Sequence, residues 1–249
     1  MRIAIIGAGT IARTIAEHAD GYKIVCVYDS VAESAGTFAA KYGCEIFEPE
    51  NFPKVDLVVE AASQEAVKQY AERMLNKGQN LMVMSVGAFV DEGLLQKLRN
   101  IAEKNRVKLI VPSGAIAGSD GIKAASVGEI EEALLVTTKP PGGFGIEVKE
   151  KTVLYEGPAS EAVKKYPKNV NVAATLALVG IGFHKTKVRI VADPAAKLNK
   201  HEIYVRGEFG ELQTETRNLP SPENPKTSYL AAMSAVSAIK RFQDHVVIG

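Results

Sequence analysis

The chain has 249 residues, 46% of them hydrophobic and 24% charged, with a net charge of +1 at pH 7. That length suits one large domain or two modest ones, and it buries enough surface to fold without disulfide or metal staples. The near-zero charge gives no broad field for nucleic acid or an anionic membrane, and no apolar run is as long as a membrane span.

The N-terminus, Met1-Arg2-Ile3-Ala4-Ile5-Ile6-Gly7, carries one basic residue and a short apolar run stopped by glycine. It reads as a first strand rather than a signal peptide. From there apolar runs and helical patterns alternate. Strands are expected at Ile3–Ile6, Lys23–Tyr28, Val55–Val59, Asn80–Met84 and Lys108–Val111. Helices are expected from Gly9 through His18, over Val31–Tyr42, over Glu65–Asn76 and over Asp91–Glu103. The strands are continuous Val/Ile/Leu runs, as a parallel sheet covered on both faces requires. Cys26 lies in one of them and reads as a buried thiol. With Cys44 it forms no CxxC pair, so no zinc or redox motif is expected and a reducing cytoplasm fits.

The pattern changes after Pro112. Ser113–Gly118 is small and glycine-rich and marks a crossover. Beyond it come alternating strands at Ala133–Thr138, Thr152–Tyr155, Lys187–Val191, His201–Gly207 and Glu211–Arg217. Helical stretches at Ser160–Tyr166 and Val172–Gly180 interrupt them. A hairpin or bulged turn is expected at Glu208-Phe209-Gly210. The proline-rich stretch from Leu219 to Pro225 is a stiff connector to a last helix, Ser228–Phe242. The expected fold is α/β: a Rossmann-type, doubly wound parallel sheet over 1–112, then a smaller α+β domain with a mainly antiparallel sheet over 113–225. The second domain is expected to hold the substrate and the catalytic group. The C-terminal segment 226–249 is expected to pack its helix back on the first domain.

Gly7-Ala8-Gly9-Thr10-Ile11-Ala12 is GxGxxA between a strand and a helix. Gly7 permits the tight turn, Gly9 lets the backbone approach a pyrophosphate, and the helix opening at Thr10 and Ile11 offers its N-terminus to the phosphate charge. Asp29 ends the next strand, where a carboxylate binds the ribose hydroxyls. The reading is NAD or NADP, with NAD favoured because Asp29 repels a 2′-phosphate. Ser30 and Arg13 keep NADP open. Ala61 and Ala62, after the third strand, and Ser85, after the fourth, lie where open α/β sheets bind ligands. Small residues there make room for the cofactor or simply pack closely.

Of the four histidines, His201 stands out. Period-2 geometry places it with Asn199, Ile203 and Val205 on one strand face, and Glu202, Tyr204 and Arg206 on the other. It is either a satisfied core histidine or a proton-exchanging group. In the second case its loss should leave stability intact, with no buried partner stranded. Asn171 is either an N-cap, a role Asn169 fits equally, or an amide able to orient the nicotinamide carboxamide. No metal-ligand pattern is present.

With these residues in hand, the sequence resembles the L-aspartate dehydrogenase family over nearly its whole length. The carriers are the Gly7–Ala12 loop, Glu60-Ala61-Ala62-Ser63, Ser85-Val86-Gly87-Ala88 and Pro112-Ser113-Gly114-Ala115-Ile116. Further along come Asn169-Val170-Asn171-Val172-Ala173-Ala174, Asp193-Pro194 followed by Asn199 and His201, and Pro225-Lys226-Thr227-Ser228. The resemblance implies oxidation of L-aspartate to iminoaspartate, which yields oxaloacetate and ammonia or feeds pyridine nucleotide biosynthesis. It further implies that His201 is the catalytic histidine, that Ala115 and Asn171 contact the cofactor, and that the protein is a cytoplasmic homodimer. A substrate with two carboxylates needs cations or helix N-termini. Lys226, Thr227 and Ser228, expected to open the last helix, and Asn199 beside the histidine are the first candidates, with Lys185, Lys187 and Arg189 as others. The competing readings are a reductase like dihydrodipicolinate reductase or homoserine dehydrogenase, and a non-catalytic dinucleotide sensor.

Overall fold

The computed structural model describes residues 1–167, 171–221 and 224–246, the side chains of 224–226 excepted. The described residues divide into two compact units: Met1–Pro112 together with residues 232–246, and Ser113–Ala231.

The first unit alternates strand and helix. The order is β1 (Arg2–Ile6), α1 (Thr10–Glu17), β2 (Lys23–Tyr28), α2 (Ala32–Tyr42), β3 (Glu45–Ile46), β4 (Leu57–Glu60), α3 (Gln64–Asn76), β5 (Asn80–Val83), α4 (Glu92–Asn105) and β6 (Leu109–Ile110). The sheet order is β3-β2-β1-β4-β5-β6, every pair parallel. This is the doubly wound arrangement, with its reversal of strand order beside β1. Local chemistry sets the helix ends. The Ser63 and Asp91 side chains accept from the amides of Ala66 and Leu94, capping α3 and α4, and Gly43 in the left-handed region ends α2. The edge strand β3 lies outside the expected set, because it is two exposed residues with no apolar run.

The second unit holds α5 (Ser119–Ala125), β7 (Ile130–Lys139), β8 (Thr152–Pro158), α6 (Ala159–Lys165), α7 (Asn171–Val179), β9 (Lys187–Ala192), β10 (Asn199–Gly207), β11 (Gly210–Asn218), β12 (Pro220–Ser221) and β13 (Asn224–Ser228). Its main sheet runs β11-β10-β7-β9-β8, antiparallel except for the β7–β9 pair. The β10–β11 hairpin closes through Glu208-Phe209, with Gly207 paired to Gly210 and Gly210 at φ +108°.

The last helix, α8, spans Tyr229–Gln243. Its Ala235, Val236, Ala238 and Ile239 are buried in one cluster with Ile3, Ile5, Ile15, Ile24 and Val27 of the first unit's core. Residues 226–228 do not open this helix, contrary to the reading above. They are extended in β13, with Ser228 paired to Pro220 of β12. Pairing of β13 with β12 holds these residues extended, and Ser228 directly precedes Tyr229, the first residue of α8. Among the described residues no helix is long and apolar enough to cross a membrane.

Candidate functional site

The dinucleotide loop sits at the carboxyl end of β1. Gly7 has φ +101°, and a Cβ on it would lie 2.7 Å from the Ala61 carbonyl oxygen. Both facts demand glycine there. The Ala61 backbone packs directly against the loop. Gly9 is different: it sits in the extended region as the N-cap of α1, and a Cβ on it would meet nothing within 4 Å. The space in front of Gly9, at the N-terminus of α1, is therefore open to a phosphate, and the residues present fit a dinucleotide. Thr10 is itself largely buried, with its carbonyl accepting from the Thr14 hydroxyl at 3.1 Å.

Asp29, at the end of β2, holds the loop. Its Oδ2 accepts from the Ala8 amide at 2.7 Å and its Oδ1 from the Val31 amide at 2.9 Å. A carboxylate has further lone pairs, so anchoring the loop leaves Asp29 able to accept from other donors. Arg13 donates from Nη1 to the Ala8 carbonyl at 3.1 Å, which puts its guanidinium beside the same turn.

Glu60, the last residue of β4, organises the neighbouring loops. Its carboxylate is 2% exposed and accepts from the Ala62 and Ser63 amides (2.8 and 2.9 Å), the Ser85 amide (3.0 Å) and the Ser85 hydroxyl (2.8 Å). Burial pushes its pKa up against these four donors. The Ser85 hydroxyl and the Ala62 amide are thus turned to Glu60, so these two candidates shape the loops rather than present free donors. The small residues after these two strands could be read from sequence; their fastening by one buried acid could not.

The second unit carries a polar patch on one face of its sheet. The register puts Thr137, His201 and Thr216 in one cross-strand row. Continued by one position, it puts Lys139, Asn199 and Asn218 in the next. Thr137, Lys139, Asn199, His201 and Asn218 are each 5% exposed or less, so these are not solvated surface groups. The Thr137 hydroxyl hydrogen-bonds His201 Nδ1 at 3.0 Å, which leaves Nε2 as the ring atom for proton exchange. Burial, with the Lys139 charge adding to it, pushes the His201 pKa down to about 3, so the ring is neutral. Asn199 donates to the Ser228 hydroxyl at 3.4 Å, which brings two substrate-binding candidates together.

The loop carrying Ala115 is fastened to the same rows. The Ala115 carbonyl accepts from Thr216 Oγ1 at 2.8 Å and from Asn218 Nδ2 at 3.1 Å. Asn171 is the first residue of α7 rather than its cap, exposed, with its carbonyl accepting from the Thr175 hydroxyl at 3.0 Å. Asn169 and Val170 lie outside the described residues, as does the Lys226 side chain. Thr227 is half-buried in β13.

Lys187 and Arg189 are on the wrong face for the histidine. They pair with Leu134 and Val136, which alternate with the face carrying Leu135 and Thr137. There they form surface ion pairs with Glu132 (3.1 Å) and Glu156 (2.7 Å), and Lys185 is exposed. Among the described residues of this sheet, the one cation on the His201 face is Lys139, which sequence reasoning missed. The expected strand stopped at Thr138, because Lys139 precedes Pro140-Pro141 and reads as loop.

The comparisons fall into place on this geometry. Residues 6–112 match the family described as "Homoserine dehydrogenase, NAD binding domain", and residues 120–242 match "Aspartate dehydrogenase, C-terminal". The L-aspartate dehydrogenase of Methanosarcina acetivorans is 44% identical, with 100% of this chain and 99% of the relative covered. The chain belongs to the L-aspartate dehydrogenase family. The L-aspartate dehydrogenase of Methanosarcina barkeri is 55% identical over 78% of this chain and 76% of its own length. The crystal structure of aspartate dehydrogenase from Thermotoga maritima superposes with a TM-score of 0.86 at 31% identity, covering 100% of this chain and 99% of that one. Like its family, the chain is an oxidoreductase that takes a nicotinamide dinucleotide, and the first unit is the dinucleotide-binding domain.

Proposed function

We propose that the chain oxidises L-aspartate to iminoaspartate, with NAD preferred to NADP. The observation that carries this reading is the buried polar patch around His201 in the second unit of a chain alike to L-aspartate dehydrogenases from end to end. When bound, the nicotinamide takes the hydrogen and electron pair that leave Cα. The remaining work falls to side chains. The substrate ammonium must lose a proton before its lone pair can assist that departure. His201 Nε2 takes the proton, with the ring held by Thr137 on Nδ1. Once that proton has passed to solvent, the same atom deprotonates the water that adds to the imine on the way to oxaloacetate and ammonia. Asn199 and Ser228 orient the substrate.

Preference for NAD rests on the Asp29 carboxylate at the end of β2, since its charge repels a 2′-phosphate. Arg13 at the Ala8 carbonyl is the group that would favour NADP. The rest of the proposal is a cytoplasmic homodimer serving pyridine nucleotide biosynthesis, with Ala115 and Asn171 at the cofactor; it rests on the family resemblance. A screen of L-aspartate, homoserine and other amino acids with each dinucleotide tests the reading. The highest kcat/KM is expected for L-aspartate with NAD. A higher value for homoserine would overturn the substrate, and a higher value with NADP would overturn the role of Asp29.

A further inference from the structure

We infer that Thr216 and Asn218 are positioning residues: they hold the Ser113–Gly118 crossover in register with His201, and so fix the spacing between the cofactor-contacting loop and the proton-exchanging ring. The inference rests on the aspartate reading with Ala115 at the cofactor, and it gives a role to two residues that sequence reasoning left without one. Its first support is register. β10 and β11 pair so that Asn199 faces Asn218, His201 faces Thr216 and Ile203 faces Thr214. Directly paired residues share a sheet face, with Cβ atoms about 4.5–5.5 Å apart. Thr214, Thr216 and Asn218 therefore stand on the histidine's face, on the edge strand beside it. Its second support is that all three reach the crossover backbone. Thr214 Oγ1 donates to the Ala117 carbonyl at 3.2 Å, Thr216 Oγ1 to the Ala115 carbonyl at 2.8 Å, and Asn218 Nδ2 to that same carbonyl at 3.1 Å. Alternate carbonyls of the segment are thus matched to alternate side chains of the strand. Gly118 lets the segment lie this close, since it has φ +80° and a Cβ on it would lie 2.8 Å from Thr214 Cγ2.

The third support is that the contacts close on one another. Asn218 Nδ2 also donates to Thr216 Oγ1 at 3.1 Å. The Thr216 hydroxyl accepts from Asn218 while it donates to Ala115, the Asn218 nitrogen uses both its hydrogens, and the Ala115 carbonyl receives two donors. Ala115 and Ile116 are each 3% exposed and Asn218 is 4% exposed, so the triangle is shielded from water. Side chains locked in this way define where a loop sits. That matters for rate, because a misplacement of about 1 Å caused by a change away from the chemistry costs roughly 10²-fold.

The test compares Thr216→Val with Thr216→Ser in the intact protein. Valine keeps the shape and removes the hydroxyl, whereas serine keeps the hydroxyl. Each variant is read for kcat and KM with L-aspartate at saturating NAD, for the urea midpoint, and for the emission of bound NADH, which follows the surroundings of the reduced nicotinamide. In Thr216→Val, kcat is expected to fall roughly 10-fold or more, beyond any loss of folded protein, with a smaller change in KM and a shifted NADH emission. Thr216→Ser should match the wild type in kcat and emission. Asn218→Ala, which removes the other donor, takes the place of Thr216→Val should that variant fail to fold. Valine and serine variants alike in kcat and emission would overturn the inference. So would a fall in kcat with unshifted emission in Thr216→Val, because the segment would then not act through the nicotinamide. A wild type without turnover on L-aspartate would contradict the aspartate reading, while an emission shift confined to Thr216→Val would still support the two positioning residues.

Discussion

His201 shows how one residue is read twice. From sequence it could be a core histidine or a catalytic one, and the structure shows it buried, with Nδ1 hydrogen-bonded and Nε2 the remaining ring nitrogen. Thr137, 2% exposed, hydrogen-bonds its Nδ1. Removing the ring therefore strands a buried hydroxyl, and the expectation that stability would be untouched is corrected. His201→Ala should lower kcat by roughly 10²–10⁴-fold and also cost about 1–3 kcal/mol of stability. A urea midpoint and kcat on the same variant check both, and near-normal kcat in a destabilised protein would leave the mechanism without its acid/base. The ring also has a pH signature. Its pKa falls from 6.5 to about 3 on folding, so between those values the unfolded chain binds a proton that the folded chain refuses. The neutral ring's contribution is fully present above pH 6.5 and is lost as pH falls through that window. The wild-type urea midpoint should drop accordingly, and His201→Ala should flatten that part of the profile. Asn199, His201, Ile203 and Val205 could be placed on one face from period 2 alone. Lys139 could not, because two following prolines disguise the end of its strand.

Among the elements, the first strand–turn–helix was legible almost residue by residue, since GxGxxA has a distinct physical reason for each small residue. The structure separates those reasons. Gly7→Ala should destabilise the fold, because φ +101° and the 2.7 Å approach to Ala61 leave no room. Gly9→Val should keep the stability read from urea unfolding within about 0.5 kcal/mol of wild type while NAD binding by calorimetry disappears, because a Cβ there meets only open space. Unchanged NAD affinity in Gly9→Val would remove the phosphate-loop assignment. Glu60 belongs to the same scale. It ties the segment after β4 to Ser85, yet its own residue type, one acid at the end of an apolar run, gave no hint of four donors converging on it. In Glu60→Gln one amide nitrogen faces donors it cannot accept from. We expect a loss of about 1–3 kcal/mol in stability and weaker NAD binding, read by thermal shift with and without NAD. The β13 ribbon was misread for the opposite reason: Thr227 and Ser228 are good caps in isolation, and only its pairing with β12 shows the backbone to be extended.

At the scale of the molecule, two folding patterns are written in the sequence as two periodicities. Continuous apolar strands belong to the parallel sheet, and alternating ones to the sheet with a polar outer face. What no periodicity encodes is the placement of a few polar groups inside the second sheet, because each is set by register across strands distant in sequence. Under the proposed function the first unit holds the dinucleotide and the second supplies the proton-exchanging group. NADH consumption by the intact protein with oxaloacetate and ammonium ions tests that claim most directly. The rate should exceed that with any other oxoacid at equal concentration and fall by roughly 10²-fold or more in His201→Ala. Tight NADH binding with no turnover on oxaloacetate and ammonium would contradict it.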